Sequence, residues 1–395
     1  MNLLSGVSQD FHRPQKSPGS YEWWHFDGID DKTGLSFSLQ FYTGNLLSAY
    51  YQDNLKTYWQ KTKSPLVDNA SVKVESLESH PPVVSPPNPL DYCGVSFQIF
   101  RKGNLAGESL QEFSGKFLKA SDRHGAVKLG PSRFNWDEEG NPASYVITVQ
   151  SPLQGKKGYL RARLFFTPLL TEISTLPPPE IPSTHTWVLA APLCHVEGTL
   201  QWCNALGEVV DEEGFIGKGY HDHHWGSVPL NRFVKSWHWG RAFIGDKTFI
   251  YSIQTPVNES EKIENVLLVL SKDKVETINR VSQTRLNNRR HNFFWLPYEK
   301  KLSFTDSYGL QIDHKNILSD GPVSLIFQDQ FEWKTSSEFL KGSGISNYLY
   351  TPRLSSSFFF PMLKARTTVY IKPDEISTGS INQPGGDVFT DRSAL

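Results

Sequence analysis

The stretch Gly219-Tyr220-His221-Asp222-His223-His224-Trp225-Gly226 decides how the surrounding chain must fold. On a β-strand successive side chains point to opposite faces, so His221, His223 and Trp225 would share one face, and Asp222 and His224 the other. Buried imidazole and carboxylate groups need hydrogen-bond partners. The stretch therefore predicts a strand whose polar side chains form a network inside the protein.

Three interpretations of this histidine-rich stretch compete. It can be a structural network that pins the strand, or an acid–base or polarising site that faces a cavity, since histidine suits proton transfer near neutral pH. It can also be a metal site, because His221 and His223 have a spacing that can chelate zinc from a strand. A third ligand would be required, and no spacing marks one. We therefore predict no metal.

Outward from this stretch, alternating apolar and polar residues predict strands along most of the chain. Turn signals such as 30–34, 138–141, 245–247 and 319–321 separate them. No amphipathic helical pattern exceeds three turns. The pattern predicts an all-β protein with meandering antiparallel strands in barrels or sandwiches. The predicted strands are 35–41, 145–149, 159–166, 249–254, 266–270, 323–327 and 367–371.

Two tryptophan-rich segments resemble each other and suggest an internal repeat. Residues 21–28 (YEWWHFDG) and 236–243 (SWHWGRAF) are each followed by a tight turn and a strand that ends on glutamine. Because 395 residues also exceed what one core usually serves, we expect two domains. The predicted division is an N-terminal arm (1–17), two β domains (18–235 and 236–375) and a flexible tail (376–395).

Composition excludes several partner classes. There are 40 Lys+Arg against 41 Asp+Glu, which removes the positive footprint of a nucleic-acid binder. Arg285, Arg289 and Arg290 are interpreted as a solvated loop. The proline-rich segments 81–89 and 177–182 cannot be central strands and are expected to be surface connections or covers over a barrel mouth.

Targeting and redox signals point to a cytoplasmic protein. No signal-peptide pattern and no apolar run of the ~18 residues that a membrane span requires are present. Cys93, Cys194 and Cys203 are too few for a disulfide framework and are expected to be buried free thiols in a reducing compartment. No phosphate-binding or dinucleotide motif occurs, so redox chemistry with NAD or flavin is unsupported. The oligomeric state is not readable.

Aromatic side chains are the second candidate feature. The chain contains 11 Trp and 25 Phe, and aromatic stripes are often simply core. They can equally wall a pocket that carries a few polar groups, and an aromatic face can stabilise a cation. The candidate binding residues are Tyr21, Glu22, Trp24, Gln40, Trp237, Trp239 and Gln254.

These motifs resemble the lipocalin-like superfamily of carotenoid 1,2-hydratases, AttH-type proteins and decalin-forming Diels–Alderases. The resemblance rests on residues 21–27, 219–226 and 237–242, which occur in the family's order, and it spans about residues 18–372. It implies two tandem lipocalin-like barrel or sandwich domains with a pocket between or within them. It also implies no cofactor and a long apolar polyene as the substrate.

One departure from the hydratases bears on function. The resemblance implies that His223, Trp225 and Tyr251 act in catalysis, together with an aspartate proton donor two residues after the tyrosine. This chain has Ile253 at that position. Asp222 or a protonated histidine, His221 included, would have to substitute. A cyclase needs no such acid, since holding a flexible chain in a reactive conformation can supply ~7–11 kcal/mol.

The leading hypothesis is therefore a cofactor-free cyclase or isomerase that acts on an apolar polyene. The alternatives are a carotenoid-type hydratase and a non-catalytic carrier of an apolar ligand.

Overall fold

The computed structural model describes residues 1–62, 85–155, 157–170, 172, 173, 176, 184–260, 265–271, 275–281, 284–304, 309–367, 369 and 370. The predicted covers at 81–84 and 177–182 and the predicted tail lie outside these residues. The described chain is nearly all-β, as predicted, with two long sheets and two α-helices. Neither of these described helices is long and apolar enough to cross a membrane.

The first sheet has 13 described strands in the order β22-β5-β4-β3-β2-β12-β11-β10-β9-β8-β7-β6, with β1 parallel to β11. Contacts of β5 with β9 and β10 show that this sheet curls back on itself. Its strands are β1 (Asn2–Ser5), β2 (Tyr21–Asp30), β3 (Leu35–Thr43), β4 (Cys93–Arg101), β5 (Asn104–Phe113), β6 (Leu118–Ala120), β7 (Ala126–Leu129), β8 (Ser132–Asp137), β9 (Ser144–Pro152), β10 (Tyr159–Leu170), β11 (His185–Cys203), β12 (Val209–Gly226) and β22 (Val369–Tyr370).

The second sheet has nine described strands in the order β16-β15-β14-β13-β21-β20-β19-β18-β17. It begins at Val234, next to the predicted division of the chain. Its strands are β13 (Val234–Ile244), β14 (Lys247–Pro256), β15 (Asn265–Ser271), β16 (Val275–Val281), β17 (Thr284–His291), β18 (Pro297–Phe304), β19 (Gln311–Asp320), β20 (Ser324–Lys334) and β21 (Phe339–Tyr350).

The three largest clusters of buried apolar side chains lie inside the first curled sheet, inside the second, and at the seam between the two. One core cluster, with Phe26, Phe97 and Leu164, fills the first barrel-like sheet, and another, with Phe249 and Phe331, fills the second. A third cluster joins the outer faces of the two sheets where β2, β11 and β12 meet β13, β14 and β15. Alternation along each strand produces this division, because odd and even residues face different cores.

Two features differ from the sequence expectations. Helix α1 (Ala49–Thr62) was not predicted. It packs against α2 (Phe360–Arg366) rather than lying in a sheet. The arginines expected in a solvated loop lie on strand β17 instead. All three cysteines are buried and free, as predicted.

Candidate active site

A cavity of about 170 Å³ lies at the seam between the two sheets. Aromatic and polar side chains from β2, β3 and β12 line one side of the cavity, and those from β13 line another. The rest of the wall mixes aliphatic residues with polar ones, among them Gln98, Glu108 and Arg366, and its accessible surface is mainly apolar. The wall residues that concern us are Trp23, His25, Gln40, Asp222, His224, Trp237 and Trp239, with Leu46, Leu47, Val323, Leu325, Leu349 and Leu363 among the aliphatic ones.

The two tryptophan-rich strands contact each other at this cavity. The ring of Trp23 lies 5.9 Å from that of Trp237, and the ring of His25 meets Trp239 edge-on at 4.9 Å. Trp23 also stacks on His224 at 4.6 Å. The repeated segments at 21–28 and 236–243 thus supply adjoining, contacting parts of one cavity wall.

Asp222 is the most heavily hydrogen-bonded group in the wall. Its Oδ2 accepts from Trp187 Nε1 at 2.8 Å, from the Tyr220 hydroxyl at 2.7 Å, and lies 3.0 Å from His224 Nε2. Its Oδ1 is buried without a hydrogen-bond partner in the described structure. One carboxylate oxygen is therefore held by three hydrogen bonds, and the other makes none.

A chain of polar side chains leads away from Asp222. His224 Nδ1 lies 3.1 Å from His185 Nε2, and His185 Nδ1 lies 2.9 Å from the Tyr21 hydroxyl. Every member of this chain can both donate and accept a proton in its neutral form. The arrangement can therefore pass a proton along four hydrogen-bonded groups.

Burial and neighbouring charges shift the pKa values of these groups. Burial raises the pKa of Asp222, but the charge and hydrogen bonds of His224, with His25 and Tyr220, outweigh it and hold the pKa below its usual value. Burial lowers the pKa of His224, against the pull of Asp222. Burial and the nearby His224 hold the pKa of His185 well below its usual range. The resting pair is thus a carboxylate beside a neutral imidazole.

His25 belongs to a second polar group that joins the sheets. Its Nε2 lies 2.9 Å from Asp27 Oδ2, and Gln40 Nε2 lies 3.0 Å from its Nδ1. Asp27 also forms an ion pair with Arg241, which comes from β13 and is fully buried. This pair ties the wall of the first sheet to the second.

The opposite face of β12 holds a separate network inside the first barrel. His223 Nε2 lies 2.9 Å from Glu22 Oε1, and its Nδ1 lies 3.3 Å from Asp10 Oδ1. His221 Nε2 lies 2.8 Å from Asp10 Oδ2, which also accepts from the Tyr145 hydroxyl. All of these groups are buried.

The charges of neighbouring side chains determine the direction of the pKa shifts in this inner network. Burial opposes ionisation of His223, but hydrogen bonds and charge from Asp10 and Glu22 raise its pKa. Burial also opposes ionisation of Asp10 and Glu22. Their histidine partners outweigh it, so the pKa of Asp10 lies well below its usual range and the pKa of Glu22 is also lowered. His223 is therefore best described as an imidazolium clamped between two carboxylates.

The structure brings only part of the predicted site to the cavity. Gln40, Asp222, Trp237 and Trp239 line it. The expectation that His223 faces an apolar hollow is not met, because alternation puts His221, His223, Glu22 and Trp24 inside the first barrel. Trp225 lies on the same inner side, 5.0 Å from the His223 ring.

The other predicted residues lie behind the wall or in the second barrel. Tyr21 is at the seam and binds His185, while Tyr251 and Ile253 belong to the core of the second barrel. Gln254 lies beside Trp237 on the neighbouring strand, outside the cavity wall.

The tryptophan-rich segments contain Trp23 and His25, and the histidine-rich stretch contains His224, but none of these residues nor His185 was chosen as a candidate site residue. The alternation within residues 219–226 separated His224 from His223, but nothing in one sequence says which face meets the cavity. His185 carries no motif at all. The described residues include no group of three or more His, Cys, Asp or Glu arranged to hold a metal ion.

The family model for the carotenoid hydratase CrtC matches residues 88–322. A hydroxyneurosporene dehydrogenase from Chlorobaculum tepidum is 26% identical over 367 residues, which cover 90% of this chain and 89% of that protein. An acyclic carotenoid 1,2-hydratase from Thiocapsa roseopersicina is 24% identical over 57% of this chain, and the match spans 45% of the hydratase.

Solved structures show the same fold. An AttH-assigned protein of Nitrosomonas europaea aligns with a TM-score of 0.54 at 13% identity, over 87% of this chain and 95% of that one. CghA aligns with a TM-score of 0.50 at 11% identity, over 85% of this chain and 89% of that one. The two curled sheets are thus the lipocalin-like arrangement that the sequence motifs predicted.

Proposed function

The chain belongs to the carotenoid hydratase CrtC family, and from that premise we propose that it adds water across a carbon–carbon double bond of an acyclic apolar polyene. The observation that supports this most is the Asp222 carboxyl in the cavity wall, with one oxygen held by three donors and the other unpartnered. The relatives are carotenoid-pathway enzymes by name, and the cavity is mainly apolar.

Asp222 is the proposed proton donor. The proton would be carried on Oδ1, the oxygen without a partner, and the three donors on Oδ2 would stabilise the carboxylate that remains after transfer, which makes the carboxylic acid strong. An apolar chain in the cavity would further desolvate Asp222. That desolvation would raise the pKa of Asp222 and favour the protonated acid.

The reaction balances without an oxidant or reductant. The π electrons of the double bond form a C–H bond with the proton from Asp222, and the neighbouring carbon becomes a cation. A water molecule then forms a C–O bond with that carbon. The water's proton returns to the Asp222 carboxylate, so the net product is an alcohol and the acid is regenerated.

The aromatic wall suits the cation. The indole rings of Trp23, Trp237 and Trp239 line the cavity, and the Asp222 carboxylate would supply the opposite charge once it has given up its proton. A cation over a desolvated aromatic face gains ~2 kcal/mol or more. These groups would therefore lower the barrier to protonation most where charge develops.

The cavity's size fits one end of a long chain. A cavity of about 150 Å³ holds a benzene molecule, so about 170 Å³ accommodates a chain end rather than a whole carotenoid. Leu46 also lines a second groove of about 320 Å³, whose wall includes Leu55, Trp59 and Leu354. The next part of the polyene would lie in this groove beyond Leu46.

Cyclisation is the second candidate, and one observation favours it. Both Asp222 and His224 have lowered pKa values, so neither holds a proton ready at neutral pH. A pericyclic cyclisation needs only orientation. In the hydratase proposal the acid is Asp222 and not a residue at position 253, since Ile253 lies in the core of the second barrel.

Isotope labelling separates the candidates in one experiment. The enzyme is incubated with an acyclic carotenoid in ²H₂¹⁸O, and the extracted product is analysed by mass spectrometry. Hydration places ²H on a carbon of the polyene and ¹⁸O in the new hydroxyl group. A cation-driven cyclisation gains ²H at carbon and no ¹⁸O, a pericyclic product gains neither label, and a carrier returns its ligand unchanged. Any result but the first overturns the hydratase proposal.

A further inference from the structure

Three large aromatic side chains are exposed in two segments, two of them in the loop between β17 and β18 and one just before α2. Phe293 is 83% exposed, Trp295 is 76% exposed, and Phe358 is 72% exposed. Leaving such side chains in water is unfavourable relative to burying them. Such a concentration of exposed aromatic surface calls for an apolar partner.

The loop that carries two of these side chains is held in a fixed shape. Asn292 receives the Leu296 N–H at Oδ1 (2.6 Å) and donates to the Gly321 carbonyl at 2.8 Å. Trp295 adopts a φ of 58°, a left-handed conformation that a bulky residue rarely takes. The loop accepts this strain and still presents the indole to the outside.

Arg353 links the two segments that carry these side chains. Its guanidinium donates to the Phe294 carbonyl at 2.9 Å and to the Trp295 carbonyl at 2.7 Å, and it lies 4.4 Å over the Phe359 ring. Phe359 in turn meets Phe358 edge-on at 5.0 Å. We call Phe293, Trp295 and Phe358 with this support the aromatic tip.

Two basic side chains lie beside the aromatic tip, and one exposed carboxylate, Asp320, accepts a hydrogen bond from Asn292 in its loop. Arg290 is exposed on β17, two residues before the loop, and Lys56 donates to the hydroxyl of Ser357, the neighbour of Phe358. Arg289 is opposite Glu299 and is partly balanced by it. The arginine run that the sequence left without a function thus lies beside the exposed aromatic residues.

A contrasting surface at the far end of the first sheet shows what is specific here. Leu206, Val210 and Ile216 are also exposed, but Asp211, Glu212 and Glu213 accompany them. That surface is aliphatic and acidic, whereas the aromatic tip is aromatic and basic. Amphipathic aromatic rings with lysine or arginine match a membrane interface with anionic headgroups.

The aromatic tip is also next to the cavity. Leu296, inside the same loop, packs with Leu325 and Tyr348, which line the cavity. Leu354, next to Arg353, lines the second groove. A surface that the aromatic tip enters would therefore lie close to both apolar sites.

We propose that the aromatic tip docks the protein on an anionic lipid bilayer, with Phe293, Trp295 and Phe358 in the interface and Arg290 and Lys56 at the headgroups. Docking would give the cavity access to a polyene dissolved in the membrane. The proposal concerns binding alone and holds whether the reaction is hydration or cyclisation.

Sedimentation with vesicles tests the proposal without an activity assay. The full chain is mixed with sucrose-loaded vesicles of phosphatidylcholine containing one third phosphatidylglycerol, and with pure phosphatidylcholine vesicles. We expect binding to the mixed vesicles, weaker binding to the neutral ones, and a loss of that difference in high salt. Phe293→Ser and Trp295→Asn should each reduce the partition coefficient by about tenfold, and Arg290→Gln by about fivefold.

The variants are chosen to keep the fold. Asparagine tolerates the left-handed conformation at 295 better than tryptophan does, and Phe293 is the most exposed of the three. Leu206→Ser, which removes an equally exposed apolar side chain from the acidic end, is the matched control and should bind vesicles as the parent does. Equal binding by Leu206→Ser, Phe293→Ser and Trp295→Asn overturns the proposal.

A second outcome would also overturn it. If light scattering shows a dimer that Trp295→Asn converts to a monomer, while vesicle binding stays unchanged, the aromatic tip is a contact between two copies of the chain. Carotenoid turnover in detergent solution tests the proposed reaction separately, since no bilayer is present there.

Discussion

The two faces of strand β12 carry the same residue types and use them differently. On the inner face His223 lies between Asp10 and Glu22, so that two carboxylates flank one imidazole. On the cavity face His224 and Asp222 pair through one carboxylate oxygen and leave the other without a partner. The inner histidine is thus shared by two carboxylates, whereas the cavity-side carboxylate is hydrogen-bonded to one imidazole.

The pKa shifts show the same contrast. The inner histidine has a raised pKa because two carboxylates share it, and the cavity-side histidine has a lowered pKa because burial outweighs its single carboxylate. The residue type alone therefore does not determine the role of these histidines. The role depends on how many opposite charges surround the histidine and on which face of β12 it occupies.

The largest expected effect comes from Asp222→Asn, which keeps the shape and removes the acid. We expect kcat to fall by roughly 10²–10⁴-fold, the range for loss of a proton-transfer group. Turnover of an acyclic carotenoid is the measurement, and circular dichroism checks the fold. Activity within about threefold of the parent, far short of that range, would remove Asp222 from the mechanism.

Breaking the inner network should instead cost stability. His223→Ala leaves Asp10 and Glu22 buried without their shared cation, and we expect the free energy of unfolding to drop by about 3–5 kcal/mol. Urea unfolding measures it. The matched control, His195→Ala, removes an exposed histidine and should stay within about 0.5 kcal/mol. If His223→Ala is as stable as that control, the inner network is not structural.

Trp239→Leu tests the aromatic wall with a smaller change. The indole faces the cavity beside His25, and its loss removes a π face from the proposed cation. We expect kcat to fall by about tenfold, which corresponds to ~1.4 kcal/mol. Binding of an unreactive saturated analogue should change little. An equal loss in analogue binding would mean that Trp239 only shapes the cavity.

The smallest expected effect is a difference in pH dependence between the two faces. His224 and His185 have lowered native pKa values, so their contribution to stability is present above pH 6.5, the usual histidine value, and is lost as pH falls below it. His223 has the opposite sign. Its contribution is present in full below 6.5 and is lost as pH rises through its raised native pKa.

Urea unfolding at about pH 5, 6, 7 and 8 measures this difference. His224→Gln should reduce the fall in the free energy of unfolding between about pH 6.5 and 5 by about 1 kcal/mol. His223→Gln should reduce the fall in the free energy of unfolding that occurs as the pH rises above 6.5. Identical pH profiles for both variants would contradict the assignment of charge states to the two faces.

The sequence predicted the fold well because period-2 alternation is a local property. Segments such as 35–41, 159–166 and 266–270 all lie within observed strands. Helix α1 was missed because Tyr50, Tyr51, Tyr58 and Trp59 give it an aromatic composition typical of strands. Its neighbour α2 lies near the other end of the described chain, and no local pattern encodes that contact.

The site was predicted only in part, for a reason of geometry. The sequence located residues 219–226 and showed that alternate side chains separate, but the face that meets the second sheet depends on packing between distant strands. Candidates around His223 therefore fell on the inner side. The role suggested for Tyr251 by resemblance placed it at the site, whereas alternation along β14 points it into the second barrel.

The buried ion pair between Asp27 and Arg241 has a consequence for the two sheets as a unit. If they separated, each would keep an uncompensated charge on a face rich in tryptophan. Neither half is then expected to be soluble alone, and heating should produce a single calorimetric transition rather than two. The two sheets would then unfold together, so no folded form of the protein would lack the cavity.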